Sequence, residues 1–503
     1  MSESQPLVRR LLARIGLERA PPGLVTRVAD GLAAWWLPLL LVFGALLYLP
    51  LLEARPLRFE EGRRAVQALE IYAGESWWYL RVLGEPYVNK PPLLPWLITL
   101  VGYLRGGIDE FTVRLPAVLS VLLGAATAGG LALVLARSLV PEQRRLAALA
   151  AGLAFYSCAF VMTKARLGET DTLVTAFCGL AFLIWARARL QGSIGIWAWA
   201  GICLWLAAAS FTKGPVPVVF PALAFLAVPL WQRRWAEAAI ALGVILLSFL
   251  PLGWWAFDNL ASTSAAHWTQ EMRVAGRSLP EGYWLSLLHL NQVPTAVAYT
   301  LPWCLPALGL LLAARRGEVR PGWVYLGLAL FAIPMALFVL IWGEARPRYA
   351  MPAVWPIMVL AGVWVAWRWT RSLVPALFLL GGFITVVTFQ VISLTAVEGK
   401  TNFQREFRER AESLGQAVED LPPGPILLLD SSGEPDFDSL AYAMRPLTRL
   451  RLAQLECSAP SPHLVVAKRD LGQIAENPLW QEQQLIAGGW MALYQRDEAA
   501  CPQ

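Results

Sequence analysis

The chain has 503 residues, of which 57% are hydrophobic and 16% are charged, and its mean hydropathy is +0.50. Because soluble domains carry about 25% charged residues, this composition excludes an ordinary soluble protein and indicates an integral membrane protein. The net charge of +6 does not indicate nucleic-acid binding, since Lys and Arg lie in short clusters between apolar runs, as membrane orientation predicts.

The N-terminal segment, residues 1–32, is polar and rich in arginine, and it contains no small-residue cleavage site. It therefore predicts a cytoplasmic tail, followed by a transmembrane domain over 33–397 whose first span is an uncleaved anchor. Segments of about 20 apolar residues can cross a bilayer. We place eleven of them, within a range of about 11 to 13, at 33–52, 112–136, 145–163, 171–188, 195–211, 215–231, 236–256, 292–313, 323–342, 350–367 and 373–396.

The predicted fold class is thus a polytopic α-helical membrane protein. Arginine clusters between the spans place the N-terminus inside and the C-terminus outside. The first external loop, 53–111, contains the apolar stretch Leu93 to Leu104, which is too short to cross and predicts an interfacial or re-entrant helix. With this topology the unusual charges all fall on the external side: Glu60, Glu61, Arg63, Arg64, Lys90, Lys164, Arg166, Glu169, Asp171, Lys213, Glu344, Arg346 and Arg348.

The external loop carries two adjacent acids flanked by arginines, in Arg58-Phe-Glu60-Glu61-Gly-Arg63-Arg64. The two carboxylates are not expected to face the same way. Whichever faces a cavity is a candidate general base, because a carboxylate can take the proton of an attacking hydroxyl or amine. The alternative is that both acids only form salt bridges with Arg63 and Arg64 at the membrane surface.

A second charged cluster, Lys164 to Asp171, lies at the external start of a span and contains the acids Glu169 and Asp171. Charges at membrane depth are costly and usually functional, so Asp171 or Glu169 is a candidate to orient the base. Hard oxygen ligands suit Mg²⁺ or Mn²⁺, and a divalent cation held by Glu60 and Asp171 is therefore a candidate cofactor. No convincing nucleotide-binding glycine loop is present, and no nucleotide cofactor is expected.

Basic residues at external span ends supply candidate partners for a phosphate. They are Lys90 beside Pro91, Lys213, Arg346 and Arg348, and such side chains pair readily with phosphate oxygens. Each of them alone is also explained by snorkelling to lipid headgroups. Together with the paired acids, they indicate a phosphate leaving group opposite an activated acceptor.

The segment 398–503 differs in composition and predicts a small external α/β domain. Its apolar runs at 426–430, 463–467 and 490–494 have the pattern of short strands. We expect a lid or docking module there, because no catalytic motif appears in it. Cys457 and Cys501 both lie in this segment and form a disulfide only if it faces an oxidising space.

The chain resembles the bacterial lipid-linked glycosyltransferases of the C-type fold (GT-C), in particular the relatives of lipid A aminoarabinose transferase and protein O-mannosyltransferase. The resemblance covers most of the chain and rests on the order of five short motifs. These are Glu60-Glu61-Gly62-Arg63, Asn89-Lys90-Pro91, Glu169-Thr170-Asp171, Thr212-Lys213-Gly214-Pro215 and Arg346-Pro347-Arg348-Tyr349-Ala-Met-Pro352.

The resemblance implies an inverting enzyme of the bacterial inner membrane that moves a sugar from a polyprenyl-phosphate donor to a lipid, glycan or protein acceptor at the periplasmic face. Glu60 matches the family's first-loop acid, which serves as base or binds metal, and Lys90 matches a lysine that contacts the donor phosphate. Asp171 matches the family's acid after the third long span. The predicted catalytic residues are therefore Glu60 and Asp171, either of which takes the acceptor proton. The residues predicted to bind the donor phosphate are Lys90, Arg63, Lys213, Arg346 and Arg348, and those predicted to bind substrate are Glu61, Glu169 and Tyr349.

Two positions depart from the family pattern. The first acid, often aspartate in these enzymes, is Glu60 here, and the glutamate that precedes the lysine in aminoarabinose transferases is Asn89. The second change removes a metal ligand and weighs against both aminoarabinose as the sugar and a bound metal.

A transporter or flippase of lipid-linked sugars is the alternative function. It predicts charges along a crossing path, including mid-span and cytoplasmic positions, whereas the acids here cluster externally. A purely structural or interaction protein is a third hypothesis. It does not explain why so many charged motifs lie on one face.

Overall fold

In a computed structural model of the chain, the structure describes residues 23–54, 57, 60–82, 85–262, 297–319, 322, 328–329 and 347–399, together with parts of the C-terminal segment between 413 and 497.

Most of the described chain is helical. The helices are α1 Gly23–Ala34, α2 Trp36–Tyr48, α3 Glu60–Tyr72, α4 Leu93–Arg105, α5 Glu110–Leu135, α6 Pro141–Tyr156, α7 Ala159–Lys164, α8 Thr170–Leu190, α9 Ile196–Lys213, α10 Val219–Trp231, α11 Trp235–Ser248, α12 Leu250–Ser262, α13 Cys304–Arg315, α14 Val354–Arg368 and α15 Val374–Gly399. Short 3-10 turns cover Ala136–Ser138, Val216–Val218 and Pro347–Ala353.

Within the described ranges, six helical segments are long and apolar enough to cross a membrane, and a seventh is added if the bent pair α1 and α2 counts as one span. This confirms a helical protein with multiple apolar spans. The count of eleven crossings stays a prediction, and the predicted span at 323–342 lies almost entirely outside the described residues. Helix α4 forms where a short helix is predicted, and its 13 residues are fewer than a crossing needs.

Close helix packing in the spanning region depends on small residues. A Cβ at Gly362 of α14 would lie 2.6 Å from the Ala147 carbonyl oxygen of α6, so only glycine lets these helices pack so tightly. Trp355 of α14 lies over Gly179 of α8 and donates an indole hydrogen bond of 2.8 Å to the Thr175 carbonyl. This contact fixes the position of α8, the helix that begins beside Asp171.

The chain divides into two compact units. The membrane unit comprises 1–50, 117–166 and 170–391, and the loop unit comprises 51–116, 167–169 and 392–503. The first external loop therefore groups with the C-terminal segment. The predicted domain boundary at 397/398 stays a prediction.

The C-terminal part of the loop unit contains a five-stranded mixed sheet of order β4-β3-β5-β7-β6. The strands are β3 Ile426–Leu429, β4 Leu450–Leu452, β5 His463–Ala467, β6 Trp480–Ile486 and β7 Met491–Arg496, while β1 Arg81–Val82 and β2 Glu85–Pro86 form a separate hairpin. Strand β3 is parallel to β4 and β5, and β7 is antiparallel to β5 and β6. Strands form at all three predicted positions; β4 and β6 were not predicted.

Candidate active site

The first predicted cluster forms around Glu60 in the loop unit. Glu60 is the first residue of α3, where the helix dipole favours a carboxylate, and Arg63 and Arg64 follow it at helical spacings that bring charged side chains together. The Glu60 carboxylate lies 3.6 Å from Arg63 and 3.2 Å from Arg64. Lys90, thirty residues later, places its Nζ 3.2 Å from the same carboxylate. The structure thus brings together three residues that sequence assigned to one site, Glu60, Arg63 and Lys90.

Glu60 and Lys90 form the accessible part of this cluster. Each side chain is 25% exposed, whereas Arg63 and Arg64 are buried. Burial by itself would raise the pKa of Glu60, but Lys90, Arg64 and Arg63 outweigh that effect and lower the pKa to about 2. Glu60 is therefore an ionised carboxylate at neutral pH, held by cations on several sides.

Tyr87 belongs to the cluster, and sequence reasoning missed it. Arg64 donates a 3.2 Å hydrogen bond to the Tyr87 hydroxyl and a 2.9 Å hydrogen bond to the Gln67 side-chain oxygen. The guanidinium groups of Arg63 and Arg64 lie 5.6 and 5.3 Å from the centre of the Tyr87 ring. Burial acts to raise the Tyr87 pKa, yet the nearby cations Arg64, Lys90 and Arg63 outweigh it and lower the pKa. Its place three residues before Lys90 was the signal available in the sequence.

Glu61 faces away from its neighbour, as the sequence predicts for adjacent helical residues. It is fully buried and accepts two hydrogen bonds from Arg114, at 2.8 and 3.1 Å, and one of 2.8 Å from the Gly168 backbone N–H. Arg114 also donates a 2.7 Å hydrogen bond to the Leu52 carbonyl. This geometry favours a positioning role for Glu61. Arg114 was not selected from the sequence, although an arginine inside the predicted span 112–136 is an expected sign of a buried partner.

The second cluster lies in the membrane unit and is built from two helix ends. Asp171 is in the first turn of α8, Lys213 is the last residue of α9, and Gly214 ends α9 with a φ of +82°. An acid at a helix N-terminus and a base at a helix C-terminus are each favoured by the helix dipoles. The two side chains form a short ion pair, in which Asp171 is 4% exposed and Lys213 is 14% exposed.

The remaining predicted residues are distributed between the two units. Arg348 and Lys164, both partly exposed, act electrostatically on the Asp171 carboxylate. Glu169 is buried and groups with the loop unit. Arg346 and Glu344 lie outside the described residues, as does the side chain of Tyr349. The roles predicted for all of these residues stay predictions.

The divalent cation that the sequence analysis assigned to Glu60 and Asp171 stays a prediction. Each already has a cationic partner: Lys90 and Arg64 hold Glu60, and Lys213 holds Asp171. A divalent cation would have to displace these ammonium or guanidinium groups or bind beside them against their repulsion. Among the residues that the structure describes, His, Cys, Asp and Glu form no group of three suited to a metal ion. No chemical step is therefore assigned to a metal here.

The chain matches the model of one protein family and several individual proteins. Residues 89–255 match the family model described as dolichyl-phosphate-mannose-protein mannosyltransferase. This range contains Lys90, Asp171 and Lys213, and it begins after Glu60. The undecaprenyl phosphate-alpha-4-amino-4-deoxy-L-arabinose arabinosyl transferase of Pseudomonas paraeruginosa is 31% identical over 353 residues, a match that covers 65% of this chain and 59% of the relative. The chain thus spans less than two thirds of the length of that curated relative.

Solved structures share the fold over nearly the whole chain. ArnT from Cupriavidus metallidurans bound to undecaprenyl phosphate superposes with a TM-score of 0.65 at 18% identity, covering 93% of this chain and 99% of that one. The archaeal oligosaccharyltransferase AglB from Archaeoglobus fulgidus, in complex with an inhibitory peptide and a dolichol-phosphate, gives a TM-score of 0.52 at 11% identity and covers 94% of this chain and 75% of that one. The predicted resemblance is therefore confirmed: this chain is related in sequence and fold to the GT-C lipid-linked glycosyltransferases, among them the aminoarabinose transferases and O-mannosyltransferases.

Proposed function

We propose that this protein is an inverting glycosyltransferase that moves a sugar from a polyprenyl-phosphate donor to a lipid, glycan or protein acceptor. The reaction takes place at the periplasmic face of the bacterial inner membrane. The named activities of the relatives and the undecaprenyl phosphate in the solved ArnT structure support the donor class.

The observation that carries the proposal is the accessible ion pair between Lys90 and Glu60. Its two side chains are partly exposed, whereas Arg63 and Arg64 are buried. The three cations gathered around Glu60, which are Lys90, Arg63 and Arg64, suit a phosphate. A lipid phosphate that reaches this point meets Lys90 and can replace Glu60 as its partner.

This exchange of partners gives each group a step in the reaction. When Lys90 turns to the donor phosphate, the Glu60 carboxylate loses its strongest cationic partner and becomes a better proton acceptor. The acceptor O–H or N–H then attacks the anomeric carbon, and its new bond forms as the bond from that carbon to the phosphate oxygen breaks. The phosphate leaves with the electron pair, stabilised by Lys90 and Arg63. The acceptor proton passes to Glu60.

Attack from the face opposite the leaving phosphate inverts the anomeric centre. Gln67 and Tyr87 accept hydrogen bonds from Arg64, which in turn holds Glu60 from the buried side, and the Tyr87 ring lies against Arg63. In the membrane unit, Asp171 and Lys213 make up a second charged pair, for which we propose a positioning role.

The proposal is tested by a transfer assay with the full-length protein in lipid vesicles. Radiolabelled polyprenyl-phosphate sugars, beginning with 4-amino-4-deoxy-L-arabinose and mannose, are offered with extracted envelope lipids, glycans and proteins. Glu60→Gln keeps the shape of the side chain but removes the base, so turnover should fall about 10²- to 10⁴-fold. Lys90→Met should weaken donor use about 10- to 100-fold, the loss expected for a charged hydrogen bond.

Control variants distinguish the loss of the Glu60 base from a general effect of removing a negative charge. Glu75→Gln makes the same substitution at an exposed position of the same unit and should keep full activity. An EDTA arm tests metal dependence, and activity is expected to persist in it. If label moves between leaflets with no transfer to any acceptor, the protein is a transporter and the proposed activity is wrong.

A further inference from the structure

The first described helix, α1 Gly23–Ala34, has its apolar and polar faces reversed relative to a water-facing helix. Four large apolar side chains are exposed: Leu24 (68%), Val28 (54%), Leu32 (47%) and Val25 (40%). At 100° per residue, they fall within an arc of about 100° on one side of the helix. The partly or fully buried positions lie on the opposite side and are small or polar: Thr26, Ala29, Asp30 and Ala33.

This arrangement excludes a helix that packs its apolar face onto the protein. Helix α1 packs on α6, Pro141–Tyr156, through its small and polar face, and the apolar stripe of Leu24, Val25, Val28 and Leu32 points away. An apolar face that points away from the protein needs an apolar partner, because leaving it in water is unfavourable.

The direction of α1 identifies that partner. Its axis turns by 84° from that of α2, Trp36–Tyr48. The 12 residues of α1 extend about 18 Å along its own axis, and at this angle they advance only about 2 Å along α2. Helix α1 therefore runs across the direction of the span, as an in-plane membrane helix does.

The apolar stripe is followed by a second exposed apolar surface on α2. Trp35, at the bend, is 68% exposed, and the next helix exposes Leu41, Val42 and Leu46. Tryptophan is enriched at the boundary between hydrocarbon and headgroups. Residues 1–22 contain four arginines against two glutamates, and Arg27 on α1 is exposed, so the neighbouring charge complements anionic headgroups.

We propose that α1 is an in-plane lipid-docking helix whose apolar stripe inserts into the leaflet at the N-terminal end of α2, next to anionic phospholipid headgroups. The proposal is independent of the transferase activity. It revises the sequence-based view of 1–32 as a polar tail, because α1 begins at Gly23 and exposes apolar side chains to lipid.

Spin labelling tests the proposal on the full-length chain with its six cysteines replaced, in vesicles of phosphatidylethanolamine and phosphatidylglycerol. Labels go at Leu24, Val28 and Leu32, with Arg27 as the control on the same helix and Leu37 and Leu41 as a depth scale on α2. We expect the three stripe positions to lie at equal depth. Their ratio of oxygen to nickel-complex accessibility should exceed that at Arg27 by roughly tenfold.

Three outcomes would overturn the proposal. Free access of the nickel complex to the stripe would show a water-facing helix, exclusion of both reagents would show cover by protein, and depth increasing from Leu24 to Leu32 would show a crossing helix. A second measurement uses the chain with its natural cysteines. Benzoylphenylalanine at Val28 should crosslink to phospholipid, and a crosslink to protein alone contradicts lipid docking.

Discussion

The buried ion pair between Glu61 and Arg114 gives a quantitative prediction. Glu61 is 0% and Arg114 is 4% exposed, and the two form a bidentate contact that is completed by Gly168 and Leu52. Removal of one partner from such a pair leaves an uncompensated buried charge, which costs about 3–5 kcal/mol. Glu61→Gln should lie near the lower end, because its amide oxygen can still accept the Gly168 hydrogen bond. Arg114→Met should lie near the upper end.

A double-mutant cycle measures the interaction itself. The double variant removes both charges. We therefore expect its loss of stability to be about 3 kcal/mol smaller than the sum of the two single losses. Reversible unfolding in mixed micelles by increasing SDS gives the free energies. Arg105→Gln is the surface control, because its contact with Asp109 is about 40% exposed on both sides and should contribute at most about 1 kcal/mol. Additive losses at Glu61 and Arg114 would refute the reasoning.

Three further predictions concern the two charged clusters. Tyr87→Phe keeps the ring but removes the hydroxyl that accepts a hydrogen bond from Arg64. Turnover in steady-state kinetics should therefore fall about fivefold, or about 1 kcal/mol, while the donor KM stays unchanged. An unchanged turnover would contradict this prediction. Asp171→Asn should cost about 3 kcal/mol of stability in the SDS assay, and addition of Lys213→Met should recover part of it; no recovery would argue against the pair. The pKa of Glu60 lies at about 2 instead of 4.5, so its ionised form stabilises the folded state by about 3 kcal/mol at neutral pH. Because folding lowers this pKa, the protein with Glu60 should be more stable than the Glu60→Gln variant by a constant amount from pH 8 to about 5. This difference should shrink as the pH falls below 4.5. A difference that persists unchanged at pH 3 would contradict the assignment.

The sequence predicted much of the helical architecture and much of the Glu60 cluster. Hydropathy is a local property, so spans, the short helix α4 and the three apolar strands could be recognised without knowledge of their neighbours. Glu60, Arg63 and Arg64 were recognised for the same reason, since their contacts lie within one helical turn. Lys90 was identified because an unusual charge beside two prolines stands out in an apolar context.

Contacts between distant parts of the chain could not be derived in this way. The partner of Glu61 lies 53 residues further on at Arg114, and nothing in the local pattern pairs the two. Strand β6, Trp-Gln-Glu-Gln-Gln-Leu-Ile, is polar because it lies at the edge of the sheet, so its sequence lacks the apolar pattern of a buried strand. The grouping of 51–116 with 392–503 likewise depends on tertiary packing that composition does not report.

The opposite orientations of Glu60 and Glu61 have a consequence for how these adjacent codons evolve. Glu60 pairs with buried Arg64 and with partly exposed Lys90, so an aspartate there loses one methylene of reach that the long Lys90 side chain can restore. Glu61 is enclosed by a fixed bidentate partner and a backbone N–H, where a shorter acid would leave a gap and lose its alignment. Exchange of glutamate for aspartate should therefore be tolerated at position 60 and selected against at position 61, although the chemical change is identical.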